Sequence, residues 1–108
     1  MREFGHKLAT NLHELHLECE RNPPKLESFN GWGKRVDRLV TCDAWKQMKR
    51  VSAEEGLIAI PYENKYSIYS RIYQIYKLYM FQPSGGLFGC PLAMTDGAAK
   101  TIQVGFEI

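Results

Sequence analysis

Between Arg2 and Glu20, apolar residues fall at Phe4, Leu8, Leu12, Leu15 and Cys19, in steps of four and three. That spacing lines one side of a 3.6-residue helix and predicts a helix over 2–20. Asn22, Pro23 and Pro24 stop it, because proline lacks the amide donor and restricts its predecessor. Residues 25–41 carry apolar anchors at Phe29, Trp32, Val36, Leu39 and Val40 around the turn signal Asn30–Gly31. This stretch reads as a structured loop with room for one short hairpin. Asp43 is placed to cap a helix over 44–55 with Trp45, Met48, Val51 and Ser52 on one side and Gly56 as the residue that ends it. The densest pattern is NKYSIYSRIYQIYKLYMFQP, residues 64–83. Tyr66, Tyr69, Tyr73, Tyr76 and Met80 form one row and Ile68, Ile72, Ile75 and Tyr79 a second. At about 100° per residue the rows merge into an apolar face roughly half the helix wide. Ser67, Ser70, Arg71, Gln74 and Lys77 are left outside, and the width of the face predicts burial against more than one neighbour. After the break at Pro83–Gly86, a last helix is expected from Pro91, in the favoured first position, to about Gln103. The expected fold class is all-α: a small domain of about four helices with one irregular or short hairpin segment at 25–41.

Composition narrows the function classes. The chain has 108 residues, net charge +2 and an apolar share of 44%, enough for one small packed domain. Lys and Arg are scattered and balanced by acids, so there is no electrostatic footprint for nucleic acid. No stretch approaches the length of a membrane span, and the first residues lack the apolar core of a secretion signal. Cys19, Cys42 and Cys90 are odd in number and show no zinc spacing. Reduced thiols in an intracellular chain, cytoplasmic or mitochondrial, are the simplest reading.

Each candidate for chemistry meets a plainer explanation. His13 and His16 are one helical turn apart, but no second ligand cluster accompanies them, and surface histidines are expected. The tyrosine rows lack interleaved basic residues on their own side, which favours packing over base stacking. Cys90, beside Pro91 at a helix start, has no general base near it in sequence. The run GGLFGCPLAMTDGAAK, residues 85–100, fails the phosphate-loop test, since Gly85–Gly89 leads into Cys-Pro rather than Gly-Lys-Ser/Thr. It fails the dinucleotide test because a helix, not a strand, precedes it. A helix end and close helix packing explain its glycines.

Three segments together resemble a family. RVDRLVTCDAWKQMKRVSAEEGL (residues 35–57), the aromatic helix (66–81) and CPLAMTDGAAK (90–100) are similar to the N-terminal helical region of acyl-CoA dehydrogenase-like flavoproteins. The nearest branch is that of the bacterial alkylation-response flavoprotein and its eukaryotic relatives. The resemblance covers about residues 4–103, giving a domain over 1–103 and a divergent tail at 104–108, where VGFEI departs from the pattern as a prematurely ended reading frame would. It implies a longer protein with a middle β-domain, a C-terminal bundle, FAD and a homo-oligomeric assembly. The flavin-contacting loop and the catalytic carboxylate of that family correspond to no residue here. No catalytic or cofactor-binding residue is therefore assigned, and no metal ligand. What the resemblance offers this chain is one wall of an acyl pocket, with Leu87, Phe88, Met94 and Thr95 as its residues; flexible Met and Phe suit an alkyl chain. The implied function is the N-terminal portion of an FAD-dependent oxidoreductase of fatty-acid metabolism, not catalytic alone. Its partners would be the remaining domains and acyl-CoA. The alternative is a stand-alone helical protein-interaction module. Thr95 and Asp96 would be prelude to a flavin site built by later residues.

Overall fold

The structure is a computed structural model, and it describes residues 1–106. Helix α1 (Arg2–Lys7) runs through a π-helical turn (Leu8–Leu12) into α2 (His13–Arg21). The Thr10 hydroxyl donates to the His6 carbonyl at 2.8 Å within that stretch, the back-bonding that loosens helix geometry. Phe4 and Leu12 are buried, and Leu8 and Leu15 pack against them, so the expected apolar row is the one that faces inward. Asn22 ends α2 as expected, its amide and side-chain NH2 both donating to the Glu18 carbonyl.

Strands β1 (Lys25–Phe29) and β2 (Arg35–Val40) pair antiparallel, with Leu26 opposite Leu39 and Glu27 opposite Arg38. The turn is fixed by Asn30, whose Oδ1 accepts from the amides of Trp32 and Lys34. The chain is 68% helical with a short two-stranded sheet. It is mostly helical rather than purely all-α, because an Asx turn closes a true hydrogen-bonded hairpin over 25–40. Little of the body covers it: Trp32 is 93% exposed and Leu39 67%.

Helix α3 (Asp43–Glu54) begins one residue earlier than its sequence suggests. Cys42, extended at ψ 161°, is the cap position, and Asp43 is the first helical residue, spending its carboxylate on Lys46 at 2.8 Å. The free amide of Ala44 is met from another helix, by Glu18 Oε1 of α2 at 3.4 Å. The far end behaves as expected. Gly56 is left-handed (φ +60°), Leu57 N–H reaches the Ser52 carbonyl, and Gly56 N–H the Ala53 carbonyl, a Schellman closure.

A short α4 (Ala59–Tyr62) and a 3₁₀ turn (Ser67–Tyr69) lead into α5 (Ser70–Phe81), and a second 3₁₀ turn (Gln82–Ser84) and loop lead into α6 (Gly89–Phe106). The last helix thus starts two residues before Pro91 and outlasts Gln103. The expected tail at 104–108 is helical as far as Phe106, and its last two residues lie outside the described ones. The core gathers Phe4, Leu12, Met48, Phe81 and Leu92 from the four long helical segments and Leu57 and Phe88 from the turns after α3 and before α6.

Helix α5 corrects the sequence reading. Its inner stripe is Ser70, Gln74, Lys77 and Phe81, all buried, in steps of four, three and four. The isoleucines expected to be buried are outside: Ile68 is 80% exposed, Ile72 67% and Ile75 57%, with Tyr79 at 77%. The physical reason lies in what the neighbours present. Glu55, at the end of α3, and Asp96, on α6, place carboxylates that Lys77 and Arg71 on the polar side of α5 answer.

Candidate functional site

Two polar ties hold α5 in that orientation. Lys77 Nζ donates to the Glu55 carbonyl at 2.8 Å and to its carboxylate at 2.9 Å, and lies 4.7 Å from the centre of the Phe4 ring. Lys7 binds the other Glu55 oxygen at 2.6 Å. Burial pushes the Glu55 carboxyl up, but the bonds from Lys7 and Lys77 outweigh it and hold it below its usual range. The second tie joins α4, α5 and α6. Arg71 reaches both Asp96 oxygens at 2.9 Å, the Tyr62 hydroxyl donates to Asp96 Oδ1 at 2.7 Å, and Arg71 lies 5.1 Å from the Tyr62 ring centre. Burial raises the Asp96 carboxyl, yet Tyr62 and Arg71 together bring it below the ordinary value. Both carboxylates are therefore committed to internal cations and hydroxyls, and neither is poised as a proton acceptor.

Two concave apolar sites flank the contact of α3 with the α5–α6 loop. One, of about 330 Å³, lies at the foot of the hairpin between Cys19, Pro23, Leu39, Cys42, Trp45 and Leu87. The other, a groove of about 550 Å³, runs between Lys49, Ser52, Leu57, Phe88, Leu92 and Thr95. Trp45 walls the first and Phe88 the second, and their rings meet edge-on at 5.1 Å, so this aromatic pair is the partition between them.

The four candidate wall residues are thus divided. Phe88 and Thr95 share the groove, although the Thr95 hydroxyl is turned back onto the Pro91 carbonyl at 2.9 Å. Leu87 belongs to the cavity at the hairpin foot and is 84% exposed in a left-handed conformation, φ +65°. Met94 is 71% exposed and borders neither site. The sequence did not point to Cys19, Cys42 and Trp45 as one wall. They come from α2, the α3 cap and α3, and only the fold brings them together.

The glycine loop does not form a phosphate cradle. A Cβ at Gly85 would lie 2.9 Å from the Phe81 ring, one at Gly86 3.1 Å from Cys19, and one at Gly89 would collide with the Gln82 side chain. The space that the missing side chains leave is filled by the chain's own atoms, where a phosphate cradle needs open amides. Asp96, the residue after Thr95, is tied internally to Tyr62 and Arg71. His13 is exposed and His16 half-buried; among the described residues no three His, Cys, Asp or Glu side chains come close enough to hold a metal ion. No described helix is long and apolar enough to cross a membrane.

Comparison with known proteins explains this arrangement of helices and hairpin. The sequence profile of the N-terminal domain of the adaptive response protein AidB matches residues 1–107. The chain belongs to the AidB N-terminal domain family. Acyl-CoA dehydrogenase family member 11 of Caenorhabditis elegans is 45% identical over 101 residues, which is 93% of this chain and 16% of that protein. The crystal structure of C. elegans ACDH-11 in complex with C11-CoA superposes with a TM-score of 0.87 at 44% identity, over 94% of this chain and 17% of that one. The apo form of Bd2924 superposes with a TM-score of 0.83 at 40% identity, over 91% of this chain and 20% of its own. As an AidB N-terminal domain the chain therefore spans a sixth to a fifth of the length of these relatives, and the resemblance read from residues 35–57, 66–81 and 90–100 names the right family.

Proposed function

We propose that this AidB-type domain is the N-terminal portion of an FAD-dependent acyl-CoA dehydrogenase-like protein and has no catalysis of its own. Its role is to supply one wall of an acyl pocket and a packing surface for the domains that carry the flavin. One observation carries this reading: α5 turns its polar side inward, and Ile72, Ile75, Tyr76 and Tyr79, with Ile68 of the 3₁₀ turn before it, are left uncovered. A continuous apolar face of that kind marks an interaction surface. The shape agrees. The radius of gyration is 17.0 Å and the thinnest dimension 17 Å, against about 13 Å for the radius of a compact domain of 100 residues. A slab this thin is built to be covered. Among the wall candidates, Phe88 and Thr95 would face an acyl chain from the groove, and Leu87 and Met94 would meet a later domain. The binding of C11-CoA by the C. elegans protein supports a medium-length acyl-CoA as the ligand of the whole assembly.

The test is a chimera in which this chain replaces the matching part of the C. elegans relative. It should purify with stoichiometric flavin and bind C11-CoA. Ile72→Asp with Ile75→Asp should prevent assembly or flavin loading while leaving the helical circular dichroism of the isolated chain unchanged. A doubly substituted chimera that assembles, holds flavin and binds C11-CoA normally would refute the packing role. A monodisperse isolated chain that binds no hydrophobic dye would favour the stand-alone interaction module instead.

A further inference from the structure

The cavity at the foot of the hairpin has two sulfur atoms in its wall. Cys19 lies in the last turns of α2, Cys42 caps α3, and their Sγ atoms are 3.9 Å apart across 23 residues of sequence. Both are half-buried, and Cys90 is exposed on α6. Gly86 closes one side of Cys19: its Cα hydrogen points at the Cys19 side chain, where a Cβ would sit 3.1 Å from both Cβ and Sγ. We infer that Cys19 and Cys42 are a reversible redox pair whose disulfide fastens α2 to α3 beneath the hairpin.

A disulfide needs its sulfurs about 2.05 Å apart, so the two side chains would close the present 3.9 Å by turning within the cavity that borders both. The two sulfurs are not equivalent. Burial and the hydrogen bond to Cys42 push the Cys19 thiol up to about 11, so Cys19 keeps its proton and Cys42 meets an external oxidant first. With glutathione disulfide as that oxidant, the Cys42 thiolate attacks one of its sulfurs and releases one glutathione, which leaves with the proton Cys42 gave up. The Cys19 thiolate then attacks Cys42 Sγ and expels the second glutathione. Two S–H bonds are lost, one S–S bond forms, and one glutathione disulfide is reduced to two thiols.

The 108-residue chain would be equilibrated in glutathione buffers of rising oxidised fraction, quenched with N-ethylmaleimide and read by intact mass and peptide mapping. The expected product is lighter by two hydrogens before alkylation, carries one maleimide on Cys90, and yields a single linked peptide joining Cys19 to Cys42. Its Tm should exceed that of the reduced chain by roughly 15 °C, as closing a loop of this length implies. Cys19→Ser should stall with glutathione on Cys42, and Cys90→Ser should leave the linkage intact. In urea the three possible pairings should scramble. Three alkylated thiols under the most oxidising buffer would overturn the inference, and so would glutathione adducts without an internal link. A native chain giving the scrambled mixture seen in urea would overturn it too.

Discussion

The orientation of α5 can be tested by a pair of substitutions whose order of effect reverses what side-chain polarity alone suggests. Lys77→Ala removes an ammonium that is 8% exposed along its side chain and that satisfies both a helix-end carbonyl and a carboxylate. Breaking a fully buried pair costs about 3–5 kcal/mol because the surviving charge is stranded. Glu55 keeps Lys7 at 2.6 Å and is itself 14% exposed, so the cost falls just below that range, about 2–3 kcal/mol, including the orphaned Glu55 carbonyl. Ile72→Ala, five residues back on the exposed side, should stay within about 0.5 kcal/mol in the isolated chain. In urea, with a slope of about 1.5 kcal/mol per molar, the first shifts the midpoint by roughly 1.5–2 M and the second by little. The pH dependence follows the same tie. Glu55 and Asp96 titrate below their ordinary values, so their contribution is complete above the unfolded carboxylate value of about 4 and is lost as pH falls through the lower folded values. Lys77→Ala should flatten the Glu55 part of that acid limb. A larger loss for Ile72→Ala than for Lys77→Ala, or an unchanged acid limb, would show that the isoleucine side is the buried one.

Other substitutions probe the loop and the second tie. Leu87→Gly should raise stability by about 1 kcal/mol, because a left-handed leucine is strained and glycine is not; a lower urea midpoint would count against the strain. Gly86→Val should do the reverse and lower the midpoint by more than 1 M or so, since a branched side chain at φ +52° would press on Cys19. Asp96→Ala should release α6 from Tyr62 and Arg71 without unfolding the core. Amide exchange in the middle of α6 should then speed up about tenfold, with Phe4 and Met48 still protected by global stability; uniform exchange across the chain would mean that the tie is part of the core.

The elements that were legible in the sequence are those specified locally. The α1–α2 segment has a simple row of apolar residues and a double-proline stop, and it buries Phe4 and Leu12 as that row predicts. Gly56 closes α3 through its own backbone conformation. The hairpin was only half legible, because the deciding bonds run from one side chain, Asn30, to two amides, and its strands have no covered face to impress an alternating pattern. The start of α3 was misjudged by a residue because its free amide is answered by Glu18 from another helix, a partner that no local cap rule contains.

The reversal of α5 has a different origin, and it bears on what the candidate site is. Hydrophobic periodicity reports every surface that a helix buries in its full setting, without saying which part of that setting a given stretch of chain supplies. For α5 the apolar rows and the charged stripe both call for partners. The polar partners, Glu55 and Asp96, lie within these residues, and a lysine cannot be buried without its carboxylate, so the polar stripe claims the interior. The isoleucines and tyrosines, which tolerate water at a cost spread over many atoms, are left exposed. The same logic divides the wall residues. Phe88 is held by Trp45 and the core, whereas Leu87 and Met94 are largely exposed. A pocket wall that needs a second domain to become a pocket would look like this from one side: a few apolar residues fixed by packing and others waiting outward. Under the proposed wall role, Phe88 and Thr95, rather than Met94, would be the first positions to alter in a test of acyl-chain selectivity.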